Sequence, residues 1–128
     1  MKGKAKKLKT LVIKRSKWAR GMTDESALRV TKPNEVEGVM RPSGTMCCLG
    51  FLARECGATT KQINGKLVPS DVPNVAWPAG LVTKKGGHTK LCDKIVEVND
   101  SVGIDVADDR EKKLTKLFTK IGYKLVFK

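Results

Sequence analysis

The four cysteines and the single histidine are the residues of this chain best suited to metal or nucleophilic chemistry. A zinc ion takes four nitrogen or sulfur ligands, and the chain offers Cys47 or Cys48, Cys56, His88 and Cys92. Structural zinc sites usually carry paired ligands two to four residues apart, whereas Cys48 and Cys56 are eight residues apart. Because unpaired cysteine is among the most buried residue types, packing in the core is the competing interpretation.

The same residues allow a thiol nucleophile. Cys47 or Cys48 lies at the start of a predicted helix, where the helix dipole lowers the pKa of a thiol, and His88 would act as its base. The sequence offers no identified acid to orient that histidine. A cysteine-dependent hydrolase or a zinc-stabilised domain therefore stands as the alternative to ordinary packing, and we expect neither a metal nor a cofactor.

A glycine and lysine segment, residues 84–90, precedes another predicted helix. Its backbone amides and its lysines Lys84, Lys85 and Lys90 would suit a phosphate group. The spacing does not match a nucleotide-binding loop, so contact with a nucleic-acid backbone and a solvated turn are the two interpretations.

The positive charge is concentrated near the N-terminus. The net charge is +13, and the first 20 residues hold seven lysines, two arginines and no acid. Such a field attracts polyanions, and a bias to lysine favours phosphate contact over base readout. Trp18 and Trp77 are candidates for base stacking, with core packing as the alternative. The predicted anion-binding residues are Lys4, Lys6, Lys7, Lys9, Lys14, Arg15, Lys17, Arg20, Lys84, Lys85 and Lys90.

Among the elements that position these residues, the C-terminal pair has the clearest pattern. Leu114, Leu117, Phe118 and Ile121 share one helix face, with Asp105 or Asp108 as the cap and Gly122 as the stop. Residues 123–128 then alternate as a strand does. Residues 8–14 predict a second, edge-like strand that is able to pair with the first.

Four further segments are predicted to be helical or irregular. Ser16 is predicted to cap a short helical turn through Trp18. A central helix is predicted from Thr45, as its cap, to Cys56, and its Gly50 is unfavourable unless another backbone packs there. A third helix is predicted over 90–98, with Asn99 and Asp100 as its stop. Residues 65–87 are predicted to be irregular, with one short strand considered at Leu81–Val82.

These elements predict an α+β fold, in which a small sheet with paired N- and C-terminal strands packs against about three helices. Residues 1–128 are expected to form a single domain, with residues 1–7 as a flexible basic arm. Apolar runs are too short for a transmembrane helix, and no apolar stretch of a secretory signal follows the basic start. We therefore expect a soluble cytoplasmic protein with reduced cysteines and no membrane partner.

The chain resembles small uncharacterised proteins of tailed bacteriophages over nearly its whole length. The resemblance is carried by residues 18–21 (WARG), 44–51 (GTMCCLGF), 98–100 (VND) and 110–127, and its most specific part is Met46-Cys47-Cys48-Leu49-Gly50-Phe51. The N-terminal lysines, His88 and the adjacent glycines are not part of it. The resemblance implies action in the host cytoplasm and no particular activity.

The sequence therefore predicts a non-enzymatic phage-type accessory protein that binds an anionic partner, either nucleic acid or an acidic host protein. No small-molecule substrate is indicated. A self-associating structural protein is a further interpretation, because the sequence does not define an oligomeric state.

Overall fold

The fold joins the two ends of the chain in one sheet, as a computed structural model shows. The structure describes residues 8–21, 27–36, 38–72, 74–83, 85–87, 89–100 and 107–128. The strands are β1 (Lys9–Ile13), β2 (Asn34–Val36), β3 (Val39–Arg41) and β4 (Tyr123–Phe127). The helices are α1 (Cys48–Glu55), α2 (Thr60–Ile63), α3 (Lys90–Asp100) and α4 (Ala107–Thr119), with 3-10 turns at Arg15–Lys17 and Pro69–Asp71. The predicted α+β class and the pairing of the terminal strands are confirmed.

Strands β1 and β4 pair in parallel, with Leu11 opposite Leu125 and Ile13 opposite Phe127. Alternation along β1 buries Leu11 and Ile13 and exposes Thr10 and Val12, as expected for a sheet with one face on the core. The sheet therefore has an inner apolar face and an outer face that is open to solvent.

The helices cover the inner face of this sheet. Helix α4 packs on β4 and on α3, and α1 packs on β1. The apolar face predicted for α4 is present, because Leu114, Phe118 and Ile121 are buried in one hydrophobic cluster with side chains of β1, α1, α3 and β4. The cap considered for α4 at Asp105 or Asp108 lies outside the described side chains, whereas Gly122 has the expected positive φ of 87°.

Helix α1 begins later than predicted. It starts at Cys48 with Cys47 as its N-cap, so the prediction of Thr45 as the cap is wrong. Thr45 is buried, and its carbonyl accepts from the Val30 amide instead. The expectation for Gly50 is confirmed, because a Cβ built there would lie 1.9 Å from the carbonyl oxygen of Leu28. A close backbone crossing thus explains a glycine inside a helix.

Helix α3 continues through the predicted stop. Asn99 and Asp100 belong to its last turn, and Asn99 is buried. Its start is fixed by Thr89, whose Oγ1 accepts from the Cys92 amide at 3.0 Å and donates to the Gly80 carbonyl at 2.6 Å. Asn99 and Asp100 were predicted to end the helix. Instead the Asn99 side chain is buried, and its amide group donates a hydrogen bond to the Asp100 carboxylate.

The remaining differences concern short elements. The prediction of Ser16 as a cap is wrong, because the 3-10 turn Arg15–Lys17 has Lys14 as its N-cap and no side-chain cap bond. The antiparallel hairpin of β2 and β3, and the short helix α2 with its Thr59–Gln62 capping box, were not predicted. Leu81–Val82 does not form a strand, although Val82 makes an isolated β-bridge, and Leu81 is a buried core side chain. None of the described helices has the length and apolar character needed to cross a membrane.

Candidate anion-binding surface

The cysteine side chains are packed rather than poised for chemistry. Cys47, Cys48 and Cys92 are buried, and Cys56 is half-buried. Burial raises the pKa of Cys47 to about 12, that of Cys92 to about 11, and that of Cys48 well above its ordinary value. The expected lowering of a thiol pKa by the α1 N-terminus is therefore wrong, because desolvation outweighs the helix dipole.

The start of α1 is also already occupied. The Cys48 amide donates a 3.1 Å hydrogen bond to Oδ1 of Asn99, so this amide faces a neutral side chain of α3. Cys56 lies 3.9 Å, sulfur to oxygen, from the Tyr123 hydroxyl. Within the described parts of the chain, no group of three or more histidine, cysteine or acidic side chains is arranged to hold a metal ion. His88 lies outside those residues.

In the glycine turn before α3, backbone amides form hydrogen bonds within the turn. The Gly86 amide donates to the Thr83 carbonyl at 2.9 Å, and the Gly87 amide donates to Thr83 Oγ1 at 2.8 Å. Two of the backbone amides expected to face a phosphate, those of Gly86 and Gly87, are thus bonded inside the turn. Lys85 and Lys90 are exposed, so their ammonium groups remain open to an anion.

Two of the predicted anion-binding residues are arginines with partners inside the fold. Arg15 donates two hydrogen bonds of 2.8 Å to the Glu111 carboxylate, which lowers the pKa of Glu111. Its guanidinium also lies 5.9 Å from the ring centroid of Phe127. Arg20 stacks 4.6 Å from the Trp18 ring, which is fully buried. These contacts hold the turn after β1 against α4, and Trp18 has no free face for a base.

The exposed lysines of the N-terminal segment meet a second set from the C-terminus. Lys14 extends β1 in a β conformation, and it follows Thr10 and Val12 on the outer side of the sheet. Because β1 and β4 run in parallel, Lys124 lies opposite Thr10, and Lys128 follows Phe127, the partner of Ile13. We call Lys14, Lys124 and Lys128 the basic sheet face. Lys9 and Lys17 are exposed beside it, whereas Lys4, Lys6, Lys7 and Lys84 lie outside the described residues.

The lysines near the C-terminus are hidden in the net charge of that part of the chain. Residues 97–128 carry a net charge of only +1, yet their six acids all precede Lys112. Six lysines and no acid follow, at positions 112, 113, 116, 120, 124 and 128. Residues 112–128 are therefore a second basic segment, which the predicted anion-binding residues did not include, and the parallel strand pair places its end beside the first.

Several of these lysines surround a groove of about 340 Å³ between α3 and α4. We call it the lysine groove. Its floor is Val98 and Leu117, and its rim is formed by Lys94, Lys113, Lys116 and Lys120. Lys94 is 3.7 Å from the Glu97 carboxylate, in an exposed pair. Among the described residues that line the groove there is no acid, so its chemistry is that of anion and apolar contact.

A second cleft, of about 480 Å³, lies beside the C-terminal end of α4 and shares Lys120 with the lysine groove. The described titratable groups that line it are Lys9, Lys120 and Tyr123, and burial raises the pKa of Tyr123 to about 12. Among their described lining residues, neither cleft joins a nucleophile to a base. Comparison with known proteins adds no function, because no protein-family model, curated protein or solved structure matches the chain.

Proposed function

We propose that this protein is a non-enzymatic binder of polyanions that contacts the phosphate backbone of nucleic acid. The observation that carries the proposal is the parallel pairing of β1 with β4, which joins Lys14 to Lys124 and Lys128 on one open sheet face. Within the described part of the chain, no ion pair neutralises these three lysines. Ammonium groups that share one face and have no ion-pair partner there attract phosphate chains.

The side chains at this face favour binding without base sequence specificity. Its charges are lysines, which act as point charges, while the nearby arginines already bind Glu111 and stack on aromatic rings. The neighbouring Trp18 is buried, so it has no role in stacking a base. The N-terminal lysines, from Lys4 onward, would add further phosphate contacts to this face.

The test is a fluorescence anisotropy titration with single- and double-stranded DNA and RNA of about 20 nucleotides. We expect affinity to fall steeply between low and physiological salt, because phosphate contacts release counterions. The Lys14→Glu/Lys124→Glu variant should bind at least about tenfold more weakly at low salt. Lys61→Glu/Lys66→Glu is the matched control, because it makes the same change of net charge at exposed lysines elsewhere.

Equal loss in both double variants would show that net charge alone governs binding and would contradict the proposal. An affinity that does not change with salt would also contradict it. The phage-type role is a separate proposal, supported by the Met46–Phe51 motif, and places the protein in the host cytoplasm. Nuclease treatment of a pull-down from a bacterial lysate tests the nucleic-acid binding, since a nucleic-acid binder loses its co-purified partners.

A further inference from the structure

We propose that the lysine groove binds an acidic amphipathic helix of a partner protein. This inference goes beyond the proposed nucleic-acid binding, because it concerns a different surface and a different class of partner. It begins from the combination of an apolar floor with a cationic rim. A phosphate backbone would bind to the cationic rim but would make no use of the apolar floor.

The rim has the spacing of one helix face. Lys113 and Lys116 of α4, and Lys120 directly after its end, follow each other at intervals of three and four residues, and all three line the groove. Lys94 of α3 stands on the groove as well. A helix lying between α3 and α4 would meet these charges with carboxylates repeated at the same intervals.

The floor suits side chains that insert from above. Val98 is only 6% exposed and Leu117 is half-buried, and both pack against the hydrophobic core. Because these groups are recessed behind the lysines, they require a partner that projects apolar side chains into the groove. A flat anionic membrane surface would not reach them, since membrane-binding faces carry protruding apolar groups.

The positive charge around the groove favours a partner with negative charge. The acids of α4 all lie in its first two turns, and of these Asp109 and Glu111 do not line the groove. Glu97 contacts Lys94 at the rim, but both side chains are more than half exposed, and such pairs are weak and easily exchanged for another carboxylate. An acidic helix would therefore gain four cationic contacts around an apolar centre.

The probe is a capped synthetic peptide of about 16 residues, with leucines on one helical stripe and glutamates elsewhere. Three comparison ligands separate the sources of binding: the same residues scrambled so that no stripe forms, polyglutamate of equal length, and a DNA oligonucleotide. We expect the striped peptide to bind at least about tenfold more tightly than the scrambled one, measured by anisotropy. Polyglutamate should bind as weakly as the scrambled peptide.

Variants locate the site on the full chain. Lys113→Glu/Lys116→Glu should weaken the striped peptide at least about tenfold, whereas Lys61→Glu/Lys66→Glu and Lys14→Glu/Lys124→Glu should change it by less than about threefold. Leu117→Gln should weaken it while retaining the unfolding transition, which circular dichroism checks. If that variant does not fold, the lysine variants and the scrambled peptide decide.

Absence of binding to the striped peptide overturns the inference. Equal binding of polyglutamate, or equal losses in all three charge variants, would show a non-specific field and would overturn it too. The DNA oligonucleotide could also compete with the striped peptide. If it does, and if Lys113→Glu/Lys116→Glu abolishes DNA binding as well, the groove would be assigned to nucleic acid instead. Loss of DNA binding in Lys14→Glu/Lys124→Glu with intact peptide binding separates this inference from the proposed function.

Discussion

The indole nitrogen of Trp18 donates a hydrogen bond of 2.7 Å to Oδ1 of Asn99, although the two residues are 81 positions apart. The same oxygen accepts from the Cys48 amide, and the Asn99 amide group donates to the Ala19 carbonyl at 2.9 Å. One buried amide therefore links the segment after β1, the start of α1 and the end of α3. Each of these groups would otherwise be a polar atom without water.

Replacement of Asn99 should be strongly destabilising. Asn99→Ala leaves the Trp18 indole and the Cys48 amide without an acceptor, and we expect a loss of about 2–4 kcal/mol in the free energy of unfolding. Asn99→Asp keeps the acceptor but loses the donor to Ala19, so it should also destabilise. Urea denaturation measures both, with Lys61→Ala as a surface control. A loss below about 0.5 kcal/mol for Asn99→Ala would contradict the role of this network.

Gly50→Ala distinguishes helix propensity from backbone packing. Propensity alone predicts that alanine stabilises α1 by about 1 kcal/mol. The 1.9 Å approach of the built Cβ to the Leu28 carbonyl predicts the opposite, a loss of at least about 2 kcal/mol, because the two backbones must separate. Thermal unfolding gives the sign directly. A raised melting temperature would show that the Leu28 segment does not cross α1 this closely.

Thiol reactivity should follow burial rather than helix position. At neutral pH we expect iodoacetamide to modify Cys56 first, because it alone among the four cysteines is only half-buried. Cys47, Cys48 and Cys92 should react only on unfolding, since burial holds their pKa values high. Mass spectrometry of peptides after timed labelling gives the order. Rapid labelling of Cys47 or Cys48 in the folded protein would restore the nucleophile interpretation.

The single tyrosine of the chain allows an unambiguous titration. Burial, and then its contact with Cys56, raises the pKa of Tyr123 to about 12, so the folded state holds this proton more tightly than the unfolded state does. Its contribution to stability is complete below pH about 10 and is lost as the pH rises toward 12. Ultraviolet absorbance of phenolate in folded and urea-unfolded protein measures both pKa values. A folded value of about 10 would contradict this environment.

Local patterns predicted the terminal elements well. The spacing of Leu114, Phe118 and Ile121 gave α4, and the alternation after Gly122 gave β4, because these segments bury one face against a core. The hairpin of β2 and β3 was missed, since each strand has three residues and Val39 and Met40 are exposed. Short strands with apolar residues on the surface carry no alternation to detect.

The sequence identified basic residues for the candidate surface, but it did not indicate which of them have partners within the fold. Lys9, Lys14 and Lys17 are exposed as expected, whereas Arg15 and Arg20 are occupied by Glu111 and Trp18. Which cations are free depends on contacts between distant residues, and Arg15 and Glu111 are 96 positions apart. Asn99 was predicted to end a helix for the same reason. Its role depends on buried hydrogen bonds to Trp18 and Cys48, which are distant in the sequence.

The parallel pairing of β1 with β4 also constrains the order in which the protein matures during synthesis. Strand β1 leaves the ribosome before the other described elements, yet its hydrogen-bonding partner is made more than 100 residues later. Contacts of such long sequence separation close slowly, because a large loop must be ordered first. Until β4 (Tyr123–Phe127) is made, the apolar side chains of β1 have no strand beside them. The nascent chain is therefore exposed to aggregation over the synthesis of the intervening residues.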